Sequence, residues 1–113
     1  MLRKVECFIQ PFKLDEIKDA LVKVGVEGMS VLECKGFGRQ LGYKPNETPS
    51  SAIKFLEKIK LEIVVEEECV ETVIEVIQRM ARTGTIGAGK IFVLPVEDAI
   101  RISTHEVGRS AIR

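Results

Sequence analysis

The stretch Ile59-Lys60-Leu61-Glu62-Ile63-Val64-Val65-Glu66 runs directly into Glu67-Glu68-Cys69-Val70-Glu71-Thr72-Val73-Ile74-Glu75-Val76-Ile77-Gln78-Arg79-Met80-Ala81-Arg82. In its first half Ile59, Leu61, Ile63 and Val65 face one way and Lys60, Glu62 and Glu66 the other, the period of a half-buried strand. In its second half Val70, Val73, Ile74, Ile77 and Ala81 recur at helical spacing and form one apolar stripe. Glu67, Glu68 and Glu71 stand near the start of that helix and Arg79 and Arg82 near its end, where the helix dipole favours each charge. Thr83-Gly84 ends the helix. A glycine-rich connection then leads to Lys90, and Ile91-Phe92-Val93-Leu94-Pro95-Val96 is apolar throughout. The order is strand, helix, strand.

The N-terminal half repeats it. Over residues 3–10, Val5, Cys7 and Ile9 alternate with Lys4, Glu6 and Phe8, which reads as a strand. After Pro11, the residues Leu14, Ile17, Leu21 and Val24 make a helical stripe, and Gly25 falls where a helix C′ residue belongs. Ser30 to Gly38 is strand-like again and ends in Lys35-Gly36-Phe37-Gly38. Two such halves predict an α+β, ferredoxin-like split βαβ fold: βαββαβ, with an antiparallel four-stranded sheet and both helices on one face. The other face also carries apolar residues, because the last strand is apolar on both sides and Phe8 and Val64 point away from the helices. An uncovered apolar face is an interface, so the chain is expected to oligomerise by packing sheet faces together.

Between the halves, residues 39–54 lose all period and crowd together Gly42, Pro45, Asn46, Thr48, Pro49, Ser50 and Ser51. A loop of about 16 residues is longer than a plain connection and points to function. The tail from Glu97 onward has no strong period.

The 113 residues suffice for one domain, taken here as residues 1–113, and not for two. Seventeen basic and 17 acidic residues cancel, leaving no general attraction to nucleic acid or anionic membrane, so an anionic ligand needs a local site. No apolar run approaches a membrane span, and the charged start Met1-Leu2-Arg3-Lys4-Val5-Glu6 is unlike a signal peptide. A cytoplasmic protein with no direct membrane insertion is expected. Cys7, Cys34 and Cys69 are widely spaced and His105 is the single histidine, which argues against a metal or disulfide framework.

Two segments suit an anion. Lys35-Gly36-Phe37-Gly38-Arg39-Gln40 lies at the root of the long loop, and Thr83-Gly84-Thr85-Ile86-Gly87-Ala88-Gly89-Lys90 joins helix to strand. The glycines let backbone N–H groups approach a phosphate, and Lys90 adds a compact positive charge. The order helix-then-strand and the spacing exclude a Walker A loop. Arg39, Arg82 and Arg101 are candidate phosphate partners. No convincing catalytic constellation stands out: His105 sits in an irregular tail with no recognisable carboxylate or nucleophile partner, so a small hydrolase is not expected. Five phenylalanines, one tyrosine and no RNP-type motif argue against an RNA-binding module of the same fold.

With these segments in view, the chain resembles the PII signal-transduction family of nitrogen regulation. Pro11-Phe12-Lys13-Leu14, Lys35-Gly36-Phe37-Gly38-Arg39-Gln40, Lys58-Ile59-Lys60-Leu61-Glu62-Ile63-Val64-Val65 and Thr83-Gly84…Gly89-Lys90-Ile91-Phe92-Val93 fall in that family's order and spacing. The resemblance implies a non-enzymatic homotrimer that binds ATP or ADP in clefts between subunits. Each cleft would be bordered by a T-loop, B-loop and C-loop, about 38–54, 83–90 and 98–113 here. Arg39, Gly87, Gly89, Lys90 and Arg101 are implied at the nucleotide, Gln40 at Mg2+ and 2-oxoglutarate, and Lys58 at a carboxylate of 2-oxoglutarate. The implied partners are target proteins such as an ammonium channel or a nitrogen-metabolism enzyme or regulator, reached through the T-loop.

The chain departs from the pattern in three places. The T-loop tyrosine that many bacterial members use for uridylylation is missing, and Tyr43 lies near the loop's start, so no uridylylation is expected; Ser50 and Ser51 lie near the tip. Ala88 stands where the family usually has an aspartate, and Ser103 where an arginine commonly supports the phosphates. These changes motivate an alternative: a PII-like nucleotide or small-anion sensor that has lost 2-oxoglutarate sensing.

Overall fold

A computed structural model describes residues 1–38, 54–82 and 89–113. Strand β1 (Leu2–Ile9) leads through a single 3-10 turn, Pro11–Lys13, into helix α1 (Leu14–Lys23). Strands β2 (Ser30–Gly36) and β3 (Leu56–Glu66) follow, then a 3-10 turn at Glu67–Cys69, helix α2 (Val70–Ala81) and strand β4 (Lys90–Val96). The strands lie in the order β2-β3-β1-β4, and every neighbouring pair is antiparallel. This is the ferredoxin-like arrangement that the two βαβ halves predict.

The period-two stretches set which side of the sheet the helices cover. Val5, Cys7 and Ile9 of β1 and Ile59, Leu61, Ile63 and Val65 of β3 are all buried. They share one hydrophobic core with Ile17 and Leu21 of α1 and Val73, Val76 and Ile77 of α2. Full burial of each such side chain contributes roughly 1.5–3 kcal/mol, so the core rests on these two central strands. The helix end at Gly25 has a definite mechanism. With φ at +98°, Gly25 lets its own N–H bond the Val22 carbonyl at 3.1 Å and the Val26 N–H bond the Leu21 carbonyl at 3.1 Å. That is the paired closure of a glycine-stopped helix, and Val26 and Leu21 both join the hydrophobic core.

Three expectations change. Val24, placed in the α1 stripe, is 43% exposed because the chain has already left the helix at that residue. In α2 the buried stripe is Val73, Val76, Ile77 and Ala81, whereas Val70 and Ile74 are only partly buried. Third, the face opposite the helices is less apolar than expected. Phe8, Val64, Phe92 and Leu94 are there, but the middle is a quartet of charges, with Lys4 Nζ 2.8 Å from Glu6 and 3.0 Å from Glu62. Lys60 Nζ completes it at 3.1 Å from Glu62 and 3.5 Å from Glu6.

Candidate functional site

Antiparallel pairing decides where the two motif segments meet. β1 ends at Ile9 and β2 at Gly36, while β3 begins at Leu56 and β4 at Lys90. All four ends lie on one edge of the sheet, so the segments 39–53 and 83–88 are both rooted there. Phe8 is the common reference, since it pairs with Lys60 on one side and Lys90 on the other. Lys58 is two residues nearer the edge along β3, opposite Cys34 of β2. From strand spacing and rise, the backbones at Lys58 and Lys90 are roughly 12 Å apart on the same face of the sheet.

Lys58 lines a groove of about 540 Å³ together with Pro11, Glu33, Cys34, Lys35, Glu57 and Ile59. The Cys34 thiol donates to the Lys58 carbonyl at 3.6 Å, so this cysteine fills a sheet position as expected. Just past the last paired rung, Gly36 with Leu56, Phe37 and Phe55 pack with ring centroids 5.6 Å apart and ring planes tilted by 57°. The ends of the long loop are therefore held together by an aromatic pair, a contact whose two members are separated by the whole loop in sequence.

Gly89 and Lys90 border a second cavity of about 380 Å³, walled by Ile9, Ile77, Ala81, Ile91 and Val93 and flanked by Arg82. Gly89 has φ +117°, and a Cβ there would lie 1.8 Å from the Phe8 carbonyl oxygen. Only glycine fits, because β4 must cross so close to β1 to begin pairing at Lys90. Arg101 lies apart from both cavities, in the C-terminal segment, with Glu106 3.4 Å from its Nε. Arg39, Gln40 and Gly87, with Tyr43, Ser50, Ser51 and Ala88, lie outside the described residues. Ser103 is exposed.

Sequence reading missed the charge quartet as a unit. Glu6 and Glu62 sit directly opposite each other, an unfavourable pairing, and Lys4 and Lys60 reach diagonally between them. Hydrogen bonds from Lys4 and then Lys60 hold the Glu62 carboxyl below its ordinary value; Lys4 is held above its own by Glu6 and then Glu62, and Lys60 chiefly by Glu62. The alternation of Lys and Glu in each strand was the available signal, but it becomes a quartet only once the register is known. Among the described residues, no group of three His, Cys, Asp or Glu side chains could hold a metal ion.

The profile of the nitrogen regulatory protein P-II family matches residues 2–106. A nitrogen regulatory protein P-II of Azospirillum brasilense is 51% identical over 112 residues, covering 98% of this chain and 100% of its own. Another, from Microchaete diplosiphon, is 50% identical over the same span. Among solved structures, Arabidopsis thaliana PII bound to citrate matches with a TM-score of 0.82 at 41% identity, over 99% of this chain and 90% of that one.

Proposed function

Because the chain belongs to the nitrogen regulatory protein P-II family, whose members are non-enzymatic regulatory signal proteins, we propose that it senses ATP or ADP and, with Mg-ATP, 2-oxoglutarate. It does so as a homotrimer and controls a partner protein through the long loop. The single observation that carries this reading is the meeting of two loop roots at one sheet edge, with Lys58 on one and Gly89 and Lys90 on the other.

The residues divide the work by chemistry. Gly89, bare of a side chain where the Phe8 carbonyl leaves no room for one, offers its backbone to a phosphate together with Gly87. Lys90 supplies fixed positive charge at the loop root, Arg101 supplies it from the C-terminal segment of a neighbouring copy across the cleft between subunits, and Arg39 lies at the nucleotide. Lys58 pairs with a carboxylate of 2-oxoglutarate, and Gln40 contributes to holding Mg2+ and the same effector. No described cluster of acidic or imidazole groups competes for the metal, so Mg2+ enters with the phosphate oxygens that suit it. A dicarboxylate beside a triphosphate is repelled unless a cation stands between them, which makes 2-oxoglutarate binding depend on Mg-ATP. The Arabidopsis thaliana relative binds citrate, itself a polycarboxylate, which supports an anionic effector here.

The uncovered sheet face, with its charge quartet framed by Phe8, Val64, Phe92 and Leu94, is the surface through which three copies pack. A loop rooted beside Lys58 changes its preferred arrangement when the site fills, and so reports occupancy to a partner such as an ammonium channel or a nitrogen-metabolism enzyme. Titration calorimetry tests the reading. Mg-ATP is expected to bind alone, 2-oxoglutarate only in its presence, and Lys58→Ala to abolish the second while leaving the first. Binding of ATP without 2-oxoglutarate would favour the nucleotide-only alternative that Ala88 and Ser103 motivate; binding of neither would remove the reading.

A further inference from the structure

The C-terminal segment folds back on itself. Ile100 and Val107 form a bridge, the Arg101 N–H donates to the Glu106 carbonyl at 2.8 Å, and the Gly108 N–H donates to the Ala99 carbonyl at 2.9 Å. The His105 N–H closes the tip by donating to the Arg101 carbonyl at 2.8 Å, with His105 itself at φ +62°. Arg101 is the single lysine or arginine between residues 99 and 108. Its guanidinium is held within its own chain: Nη2 donates to the Arg113 carbonyl, and Nε, a buried atom with no hydrogen-bond partner, lies at ion-pair distance, 3.4 Å, from Glu106 Oε1. Glu106 is aimed by a second contact, since the Thr104 hydroxyl donates to the same Oε1 at 2.7 Å. Arg113, which Arg101 contacts, is itself tied to the sheet, with Arg109 Nε 2.9 Å and Arg113 Nη2 3.0 Å from Glu66 Oε1 at the end of β3.

A carboxylate placed on a phosphate-binding arginine occupies the charge that the anion would take. We propose that Glu106 is an internal competitor for Arg101, a latch that lowers nucleotide affinity until a phosphate displaces it. This rests on the reading of Arg101 as a phosphate partner. The latch is weak by construction, because the two side chains are 37% and 47% exposed and an exposed ion pair is worth little. A triphosphate outcompetes it, since several charged oxygens can take the guanidinium in bidentate fashion. The turn carries Ser103 rather than a second arginine, so the latch governs all of its fixed positive charge.

The alternative role for Glu106 is to position Arg101 for the ligand, and the sign of one measurement separates the two. Glu106→Gln keeps the size of the side chain and an acceptor for Thr104 while removing the charge. In calorimetric titration of the full chain with Mg-ATP, Glu106→Gln is expected to tighten binding about two- to fivefold, the range of an exposed ion pair. Glu106→Ala is expected to move affinity in the same direction, and neither change should matter in an Arg101→Gln background. If Arg101→Gln weakens ATP but Glu106→Gln and Glu106→Ala leave it unchanged or weaker, the latch is overturned and the nucleotide reading stands. If Arg101→Gln has no effect on ATP, the assignment of Arg101 fails and the latch fails with it.

Discussion

Replacing Gly89 with alanine puts the geometry of the candidate site under direct strain. The new Cβ would meet the Phe8 carbonyl oxygen at 1.8 Å and its carbonyl carbon at 3.0 Å. Both atoms are backbone of a central strand, so no side chain can swing aside. The φ of +117° adds a second cost, because an L-residue held in a sparsely populated region is strained by about 1–3 kcal/mol. Relief by shifting the chain would open the Phe8–Lys90 rung, the first of the β1–β4 ladder, at about 1 kcal/mol for a lost hydrogen bond. Together these give about 2–4 kcal/mol. For a chain of this size each kcal/mol moves the melting temperature by about 4–5 °C, so Gly89→Ala is expected to melt about 8–20 °C below the parent. The assay is a thermal melt at matched protein concentration, which removes the dependence of an oligomer's melting on concentration. The same variant is expected to lose most of its ATP affinity. A melting temperature within about 2 °C of the parent would refute the close approach of β4 to β1, and with it the reason glycine is required there.

Three further outcomes follow from the open face and the thiols. Glu62→Lys would set a lysine between Lys4 and Lys60, and light scattering is expected to show a trimer for the parent and a monomer for the variant; a monomeric parent at micromolar concentration would remove the interface altogether. Glu62, held below its ordinary value by Lys4 and then Lys60, stabilises the fold fully above the ordinary glutamate value, and this is lost as pH falls through the depressed folded one. Lys4 and Lys60, held above theirs by Glu6 and Glu62 respectively as first causes, stabilise the fold below the ordinary lysine value, and this fades as pH rises through the raised one. Urea melts across the acid range should therefore show a decline that Glu62→Gln flattens, and an unchanged decline would mean that another carboxylate is responsible. With a thiol reagent at neutral pH, exposed Cys69 should react first and Cys34 more slowly. Cys7, whose thiol burial pushes up to about 11, should react only on unfolding; native reactivity matching that of Cys69 would contradict the packing of β1 beneath the helices.

The fold was legible because its signals are local. Each strand of the central pair alternates cleanly, each helix carries one stripe, and Gly25 stops α1 by a mechanism contained within Leu21 to Val26. The errors at Val24 and Val76 are errors of one position in a helical stripe, where an exit from the helix or a wider buried face decides between neighbours. The site was legible only as separate pieces. Nothing in the spacing of Lys58 and Lys90 says that they share an edge; that follows from both β3 and β4 running antiparallel to β1. Phe37 and Phe55 likewise read as two unremarked aromatics until β2 and β3 are paired.

The charge quartet shows why such features escape a linear reading. Lys4-Val5-Glu6 and Lys60-Leu61-Glu62 each look like the solvated face of an ordinary strand. Antiparallel pairing sets Glu6 opposite Glu62, which by itself would oppose that register, while sliding by one residue would turn every core side chain outward. The burial of Val5, Cys7, Leu61 and Ile63 therefore fixes the register, and Lys4 and Lys60 make the resulting carboxylate pair tolerable from its two diagonals. On a solvent-facing sheet four such charges would gain little from one another. Between subunits they would be shielded from water, where breaking one member of the set costs several kcal/mol, so the same quartet that costs nothing in a monomer would enforce a single packing of the trimer.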